Sequence, residues 1–95
     1  MQVRFARSAS KHRIARTRIL HVIEHCGLRF EQPPPAGGQM SRTTRLLYFG
    51  DDADGIRLEV MAVELASGDL LVIHAMLLQD RYLSLYEEAK KWRNL

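Results

Sequence analysis

The stretch LLYFGDDADGIRLEVMAVELASGDLLVIHAM, residues 46–76, decides the fold of this chain. Its apolar segments are separated by Asp-Gly at 54–55 and by Ser-Gly-Asp at 67–69, and both separators are hairpin signals. The segments predict strands over 43–49, 56–65 and 70–76. Polar and apolar residues stop alternating at 61–63, which favours a strand that is buried on both faces or bulged there. The stretch therefore predicts an antiparallel meander.

A helix is predicted directly after the meander, beginning near Asp80. Large or aliphatic residues recur there at helical spacing, namely Tyr82, Leu85, Tyr86, Ala89 and Trp92. Each large side chain of this stripe that becomes fully buried is expected to contribute about 1.5–3 kcal/mol. The sequence therefore predicts an amphipathic helix that packs against the sheet.

Two helices are predicted on the N-terminal side of the meander. Apolar residues at helical spacing predict one over 15–25, with Gly27 as its stop. Ser8 or Ser10 is the expected N-cap of a shorter first helix that carries Lys11 and His12.

The chain of 95 residues is predicted to form one α+β domain. Its parts are two N-terminal helices, a three- to four-stranded antiparallel sheet and a C-terminal amphipathic helix. A Pro- and Gly-rich loop is expected at 31–41, between the helices and the sheet.

Composition narrows the class of protein. The hydrophobic fraction of 46% is ordinary for a globular chain, and no apolar run approaches the roughly 18–20 residues of a membrane span. The first residues lack the apolar core of a signal peptide, so a cytoplasmic location without membrane partners is expected. Cys26 is the single cysteine, which predicts a buried thiol in a reducing compartment.

The charge is distributed unevenly. The formal net charge is only +3, but residues 1–20 contain six basic side chains and no acidic one. The basic residues are Arg4, Arg7, Lys11, Arg13, Arg16 and Arg18. Such segregation can gather phosphates at one end of a molecule. The alternative is an ordinary solvated helix face.

Two motifs suggest metal sites but do not meet the requirements for them. His21, Glu24 and His25 have the H-x-x-E-H spacing of inverzincin proteases, but those enzymes are far larger and need a third ligand. The acidic turn 51–55 lacks the acids that an EF-hand requires at positions 50 and 61. We therefore expect neither a metal centre nor a cofactor.

Two histidines are the better candidates for chemistry. His74 lies on the last predicted strand, and an imidazole there could serve as general acid or base near neutral pH. The alternative is a histidine that packs at a strand end. His12 lies among Lys11, Arg13 and Arg16, which are suited to holding the phosphates of RNA. Tyr82 offers a face for stacking bases, although its spacing also suits core packing.

Five strings, in this order, resemble the BrnT-type toxins of bacterial type II toxin–antitoxin systems, which belong to the RelE-like ribonuclease superfamily. They are KHRIA at 11–15, LLYFG at 46–50, LEVMAV at 58–63, LLVIHAM at 70–76 and RYL to YEE over 81–88. In that family a Lys-His-Gly element on a first helix precedes a second helix, three antiparallel strands and a charged helix. The chain departs from the pattern at Arg13, where the family has glycine, and at Ala15, where it has serine. The family's basic pair aligns with Met76 and Leu77, and Arg81 is the expected substitute one helical turn later.

The resemblance implies a cytoplasmic ribonuclease toxin and a cognate antitoxin that neutralises it and binds DNA with it. In this hypothesis His74 or His12 is the acid–base residue and Arg81 assists at the phosphate. The side chains expected to bind RNA, free or on the ribosome, are Lys11, Arg13, Arg16 and Tyr82.

The alternative hypothesis is a catalytically weak RelE-like protein that acts by binding protein or nucleic acid. Its expected contact surfaces are the acidic turn 51–54, the proline loop and the basic first helix. A homodimer through an exposed edge strand is a further expectation.

Overall fold

The computed structural model describes residues 2–25, 28–32 and 44–93. Its elements follow one another as β1 (Val3–Phe5), a 3₁₀ helix (Arg7–Ser10), α1 (Arg16–His25), β2 (Leu28–Gln32), β3 (Arg45–Asp51), β4 (Arg57–Glu64), β5 (Leu70–Leu77) and α2 (Asp80–Arg93). The predicted α+β class is confirmed. Neither helix in the described ranges has the length and hydropathy that a membrane span requires.

The sheet is larger than predicted and is mixed. It has five strands in the order β1-β5-β4-β3-β2. Strands β2 to β5 form an antiparallel meander, which confirms its predicted core, whereas β1 pairs parallel to β5. The prediction of a three- to four-stranded antiparallel sheet was wrong in this respect. Three-residue β1 carries too little pattern to be recognised, and its parallel pairing depends on contacts distant in sequence.

The N-terminal region differs from the prediction of two helices. Helix α1 matches the one predicted over 15–25, but the first is only a 3₁₀ helix that ends before Lys11 and His12. The serines do not cap it, since Ser8 Oγ donates to Ile73 O at 2.7 Å and Ser10 Oγ donates to Arg7 O at 2.8 Å.

Several sequence predictions fall on residues outside the described ranges. They concern Cys26, Gly27 and most of the 31–41 loop. The structure describes the backbone of Trp92 but not its side chain, so the predicted place of that side chain in the stripe also stays a prediction. The described start of that loop is wrongly predicted, because Glu31 and Gln32 pair with β3 as the end of edge strand β2. Exposed polar residues there resemble a loop in sequence.

The central strands are covered on both faces, as the failed alternation in β4 predicted. On one face, Ile19 and Val22 of α1 pack against a cluster that includes Val60 and Val72. On the other, Leu47 and Phe49 pack against Tyr86 of α2, with Tyr82 beside them. Leu85 does not join the predicted stripe of buried residues, since it is 46% exposed.

A β-bulge also lies where the sequence predicted an irregularity. Met61 is opposite His74 and Ala62 is opposite Val72, which leaves Ile73 of β5 as the extra residue. The bulge reverses the alternation of β5, so that Val72 and Ala75 both join the cluster under α1. His74 consequently points to the other face of the sheet, and this is how bulges commonly redirect a side chain.

Candidate active site

His12 and His74, the two predicted acid–base candidates, lie against each other. Their ring centroids are 5.6 Å apart, with the rings nearly perpendicular at 78°. His12 is exposed in the turn that follows the 3₁₀ helix. That helix is held to β5 by the hydrogen bond from Ser8 to Ile73, the bulged residue next to His74. The bulge and the parallel pairing of β1 with β5 therefore bring the two imidazoles together.

A buried carboxylate holds the His74 ring. Glu59 of β4 is only 2% exposed, and its Oε2 lies 3.1 Å from His74 Nε2. Gln79 completes the network, because its backbone N–H donates to Glu59 Oε1 at 2.9 Å and its side-chain amide donates to Oε2 at 2.8 Å. A buried charge is tolerated when it is hydrogen-bonded in this way. Glu59 is thus fixed between the sheet and the start of α2.

The proton positions on His74 follow when Glu59 is ionised. A carboxylate in that form only accepts hydrogen bonds, and Nε2 of His74 is then the donor toward Glu59. In the neutral imidazole the free lone pair is therefore on Nδ1. A carboxylate that orients an imidazole and stabilises its protonated form is the arrangement that makes histidine an effective general base.

The turn that carries His12 is basic and has an unusual backbone. Lys11 and Arg13 flank His12, and both are exposed. Arg13 has φ of 59°, in the left-handed region that side chains other than glycine rarely adopt. Such conformations cost about 1–3 kcal/mol and cluster at functional sites. Two cations consequently flank the exposed member of the histidine pair.

The other predicted site residues lie in two stacked pairs. The Arg81 guanidinium is 4.7 Å from the centre of the Tyr82 ring, and that ring packs on Phe49 at 5.0 Å. Tyr82 therefore serves the core, as its spacing allowed. The Arg16 guanidinium lies 5.0 Å from the centre of the Phe5 ring. In the chain, Arg81 follows Gln79 of the histidine network by two positions.

A second buried acid, Asp52, has a different set of partners. It is 4% exposed, receives the Arg18 Nε–H at 2.7 Å and accepts the backbone N–H groups of Asp54 and Ile56 at 2.9 Å. The bond from Ile56 is the main cause that lowers the pKa of Asp52 below 3.8, with Arg18 adding to it against the opposing effect of burial. Asp52 thus fastens the β3–β4 turn to α1. The predicted acidic contact surface is smaller than expected, because this carboxylate faces inward.

Asp69 anchors the N-terminal strand. It accepts the backbone N–H of Gln2 at 3.0 Å and pairs with Arg4 at 3.2 Å. The bond from Gln2 is the main cause that lowers the Asp69 pKa from 3.8, and the charge of Arg4 contributes. Because β1 leads into the turn of His12, Asp69 helps to position that turn on β5.

The H-x-x-E-H residues share one face of α1. The rings of His21 and His25 are 4.6 Å apart, and Glu24 lies 3.9 Å from His25. Over residues 2–25, 28–32 and 44–93, no group of three or more potential metal ligands was found. The helix spacing was therefore predicted correctly, and the third ligand that a zinc protease needs is not supplied by the described residues.

Glu59 and Gln79 belong to the network but were not predicted from the sequence. Glu59 alternates with Leu58 and Val60 in β4, which suggests a solvent-facing position. The hairpin register gave a usable signal, because antiparallel pairing across 67–69 brings 59 and 61 close to 74 and 76. The two hydrogen bonds from Gln79 to Glu59 depend on where α2 begins. The sequence defines the start of that helix less well than it defines the strands.

Comparisons of the chain with protein-family models, curated proteins and solved structures find no match. The arrangement of side chains is therefore the observation from which function is argued. Its main element is an imidazole pair, one ring fixed by a buried carboxylate and the other exposed among cations.

Proposed function

We propose that this chain is a metal-independent endoribonuclease that acts as the toxin of a bacterial toxin–antitoxin pair. The observation that carries the proposal is the contact of the His12 and His74 rings at 5.6 Å, with His74 bound to buried Glu59. Imidazole exists in both protonation states near neutral pH. Two adjacent imidazoles therefore offer one base and one acid to the same reaction.

RNA cleavage uses such a pair through its own 2′-hydroxyl. In the proposed reaction, Nδ1 of His74 takes the 2′-hydroxyl proton, and the 2′-oxygen forms a bond to phosphorus. The bond from phosphorus to the 5′-oxygen breaks, and protonated His12 donates a proton to that leaving oxygen. The products are a 2′,3′-cyclic phosphate and a 5′-hydroxyl, with His74 protonated and His12 neutral. Glu59 stabilises the charge that His74 gains.

The charge that develops on the phosphate needs cationic partners. Lys11 and Arg13 flank His12 and are exposed, so they are suited to contact the non-bridging oxygens. Arg81, at the start of α2, is the proposed third cationic partner. Positioned cations facing developing negative charge supply a large part of catalysis in phosphoryl transfer.

The backbone of Arg13 supports the resemblance to the BrnT-type toxins. Its φ of 59° lies in the region that glycine enters without strain, and glycine is the residue that the family has there. This agreement concerns one position in the string 11–15. It supports treating Lys11 and His12 as counterparts of the family's Lys-His element.

A toxin of this kind is expected to bind an antitoxin and RNA. A cognate antitoxin with acidic segments would complement the basic turn around His12 and speed association with it. RNA, free or on the ribosome, is the proposed substrate. In the described sheet β1 and β2 are the outer strands, and an open edge is also where a second copy of the chain could pair.

An apolar surface favours a second candidate function, protein binding without strong catalysis. A cavity of about 480 Å³ lies between β2 and α2 and is lined by Leu28, Phe30 and Leu85, among others. Leu83 and Leu85 are 37% and 46% exposed. Apolar residues grouped at a surface often mark an interaction site.

Expression and cleavage assays separate the two functions. The experiment induces the wild type, His12→Ala and His74→Ala in bacteria, follows growth, and assays RNA cleavage by the purified proteins in EDTA. His25→Ala is the matched control, since His25 is an exposed histidine on α1. Growth arrest and cleavage that both histidine variants lose, while His25→Ala keeps them, support the ribonuclease. Equal toxicity in all variants, with intact RNA, contradicts it and favours the binding function.

A further inference from the structure

A cavity of about 380 Å³ lies beside the turn that carries His12. Residues on both sides of that turn, Ser10 and Ile14, contribute to its wall. Ala9 and Ile19 also line it and are 3% and 1% exposed. The volume is within the range of roughly 300–1,000 Å³ that is typical of small-molecule sites. This part of the surface is thus concave and predominantly polar, with apolar side chains in its wall, and it adjoins the turn that carries His12.

The lining of the cavity combines cations with a flat apolar surface. Arg7 and Arg16 contribute to it, and both residues are exposed. Arg16 stacks on Phe5, also in the lining, at 5.0 Å from the ring centre. No acidic residue is among the residues that line the cavity. Its chemistry therefore suits a ligand that is both anionic and flat.

We propose that this cavity binds one nucleotide of single-stranded RNA, next to the phosphodiester that the histidine pair cleaves. The base lies against the apolar wall and the Phe5–Arg16 stack, and the phosphate is held by Arg7 and Arg16. Guanidinium planes and aromatic rings stack on unpaired bases, and arginine binds phosphate through two parallel hydrogen bonds. The proposal rests on the proposed function, because it assigns the nucleotide to that enzyme's substrate.

The cavity also predicts a preference among substrates. A base can enter a concave site only when it is unstacked and unpaired, so single strands should bind better than duplexes. A nucleotide held beside His12 fixes the register of the strand relative to the two imidazoles. The chain should then cleave at a set distance from the bound base.

Binding to RNA that cannot be cleaved tests the site. We would use the His12→Ala protein, in which the proposed acid is removed from an exposed position, and measure fluorescence anisotropy with a labelled single-stranded oligoribonucleotide. Arg16→Ala is added to this background and compared with Arg29→Ala. Arg29 is a matched control, because it too is an exposed arginine over a ring, at 6.0 Å from that of Tyr48, on edge strand β2. Both variants lose one positive charge.

Arg16→Ala should weaken binding about tenfold, since a stacking and a charge-assisted contact are lost together. Arg29→Ala should weaken it about twofold or less, the effect of one distant charge. Phe5→Leu should also weaken binding, because it removes the aromatic ring while keeping an apolar side chain. A nucleoside 5′-monophosphate should compete with the strand and shift the methyl NMR signals of Ile14 and Ile19.

Equal losses of affinity in Arg16→Ala and Arg29→Ala would overturn the proposed nucleotide site, because attraction to net charge alone would then explain binding. Equal affinity for a duplex would overturn it as well. Tight binding of the monophosphate with no binding of the strand would contradict the assignment to RNA. These outcomes differ from failure of the proposed function, which is absence of cleavage by the wild type, because the binding assay requires no turnover.

Discussion

Asp52 and Glu59 are the two buried charged side chains in the described part of the chain, and they have different roles. Asp52 has partners that connect the β3–β4 turn to α1, namely Arg18 and two backbone N–H groups. Glu59 is held by Gln79 and also meets His74, whose ring contacts exposed His12. Burial of a carboxylate therefore does not identify a functional site. Glu59 differs because its titratable partner, His74, contacts the exposed His12.

The largest effect should come from removing either imidazole of the Glu59 network. His74→Ala and His12→Ala should each lower the rate of RNA cleavage by about 10²–10⁴-fold, the usual contribution of a general acid or base. The double variant should be little worse than either single one, because residues that act as a unit are not additive. Single-turnover cleavage of a defined oligoribonucleotide measures this. Losses that simply multiply would contradict a joint role.

Substitution of the two buried acids should affect the rate of cleavage differently, and the effect should be smaller than that of removing a histidine. Glu59→Gln should lower kcat by about 10- to 100-fold with little change in KM, because the His74 ring loses its orienting carboxylate. The pH profile of the remaining activity should also shift. Asp52→Asn should leave kcat within about twofold while it lowers Tm, since Asp52 secures structure away from the histidines.

Circular dichroism should show that both acid variants are folded at the assay temperature. A loss of kcat in Asp52→Asn as large as that in Glu59→Gln would contradict the different roles of the two acids. A change in Tm alone for Glu59→Gln would contradict its role in orienting His74.

Acid should weaken the Asp52 anchor. The pKa of Asp52 is lowered from 3.8 in the folded chain, so the folded state binds fewer protons than the unfolded state as acid is added. The stabilisation is complete above the unfolded value and is lost as pH falls through the lower, folded one. Tm should therefore decline below about pH 4, and less so in Asp52→Asn.

Asp69 has the same sign of pKa shift and contributes to the same decline. Asp69→Asn should accordingly flatten the curve further when combined with Asp52→Asn. Thermal unfolding followed from neutral to acid pH checks this. A wild type and a double variant with parallel Tm curves would contradict the assignment.

The smallest expected effect concerns the turn between Ser10 and Ile14. Arg13→Gly should change the free energy of unfolding by no more than about 1 kcal/mol, because relief of strain at φ of 59° is offset by the freedom of glycine in the unfolded chain. Arg13→Val should destabilise the protein by roughly 1–2 kcal/mol, since a β-branched residue tolerates this conformation poorly. Urea denaturation measures both, and equal stabilities would contradict the strained backbone.

The sequence predicted the centre of the fold better than its edges. Strands β3 to β5 and helix α1 follow from apolar periodicity and from turn signals such as Asp54-Gly55. Strand β1 is three residues long, and β2 ends in polar residues, so neither gives a periodic signal. Such short edge elements are specified by the strand beside them rather than by their own residues.

The candidate site was predicted in its parts but not in its assembly. His12 and His74 are candidates in the sequence because imidazole suits acid–base chemistry, yet no local pattern indicates that they meet. Their contact depends on the parallel pairing of β1 with β5 and on bulged Ile73. Both features depend on tertiary contacts. Glu59 was missed for the same reason, since its burial depends on the start of α2.

His12 and His74 are proposed to act together on RNA. The most direct measurement is cleavage of a single-stranded oligoribonucleotide by the purified protein in EDTA, from about pH 5 to 9, with the new ends identified by mass spectrometry. We expect a bell-shaped pH dependence and fragments that end in a 2′,3′-cyclic phosphate and a 5′-hydroxyl. Intact RNA at every pH, or fragments that end in a 3′-hydroxyl and a 5′-phosphate, would contradict it.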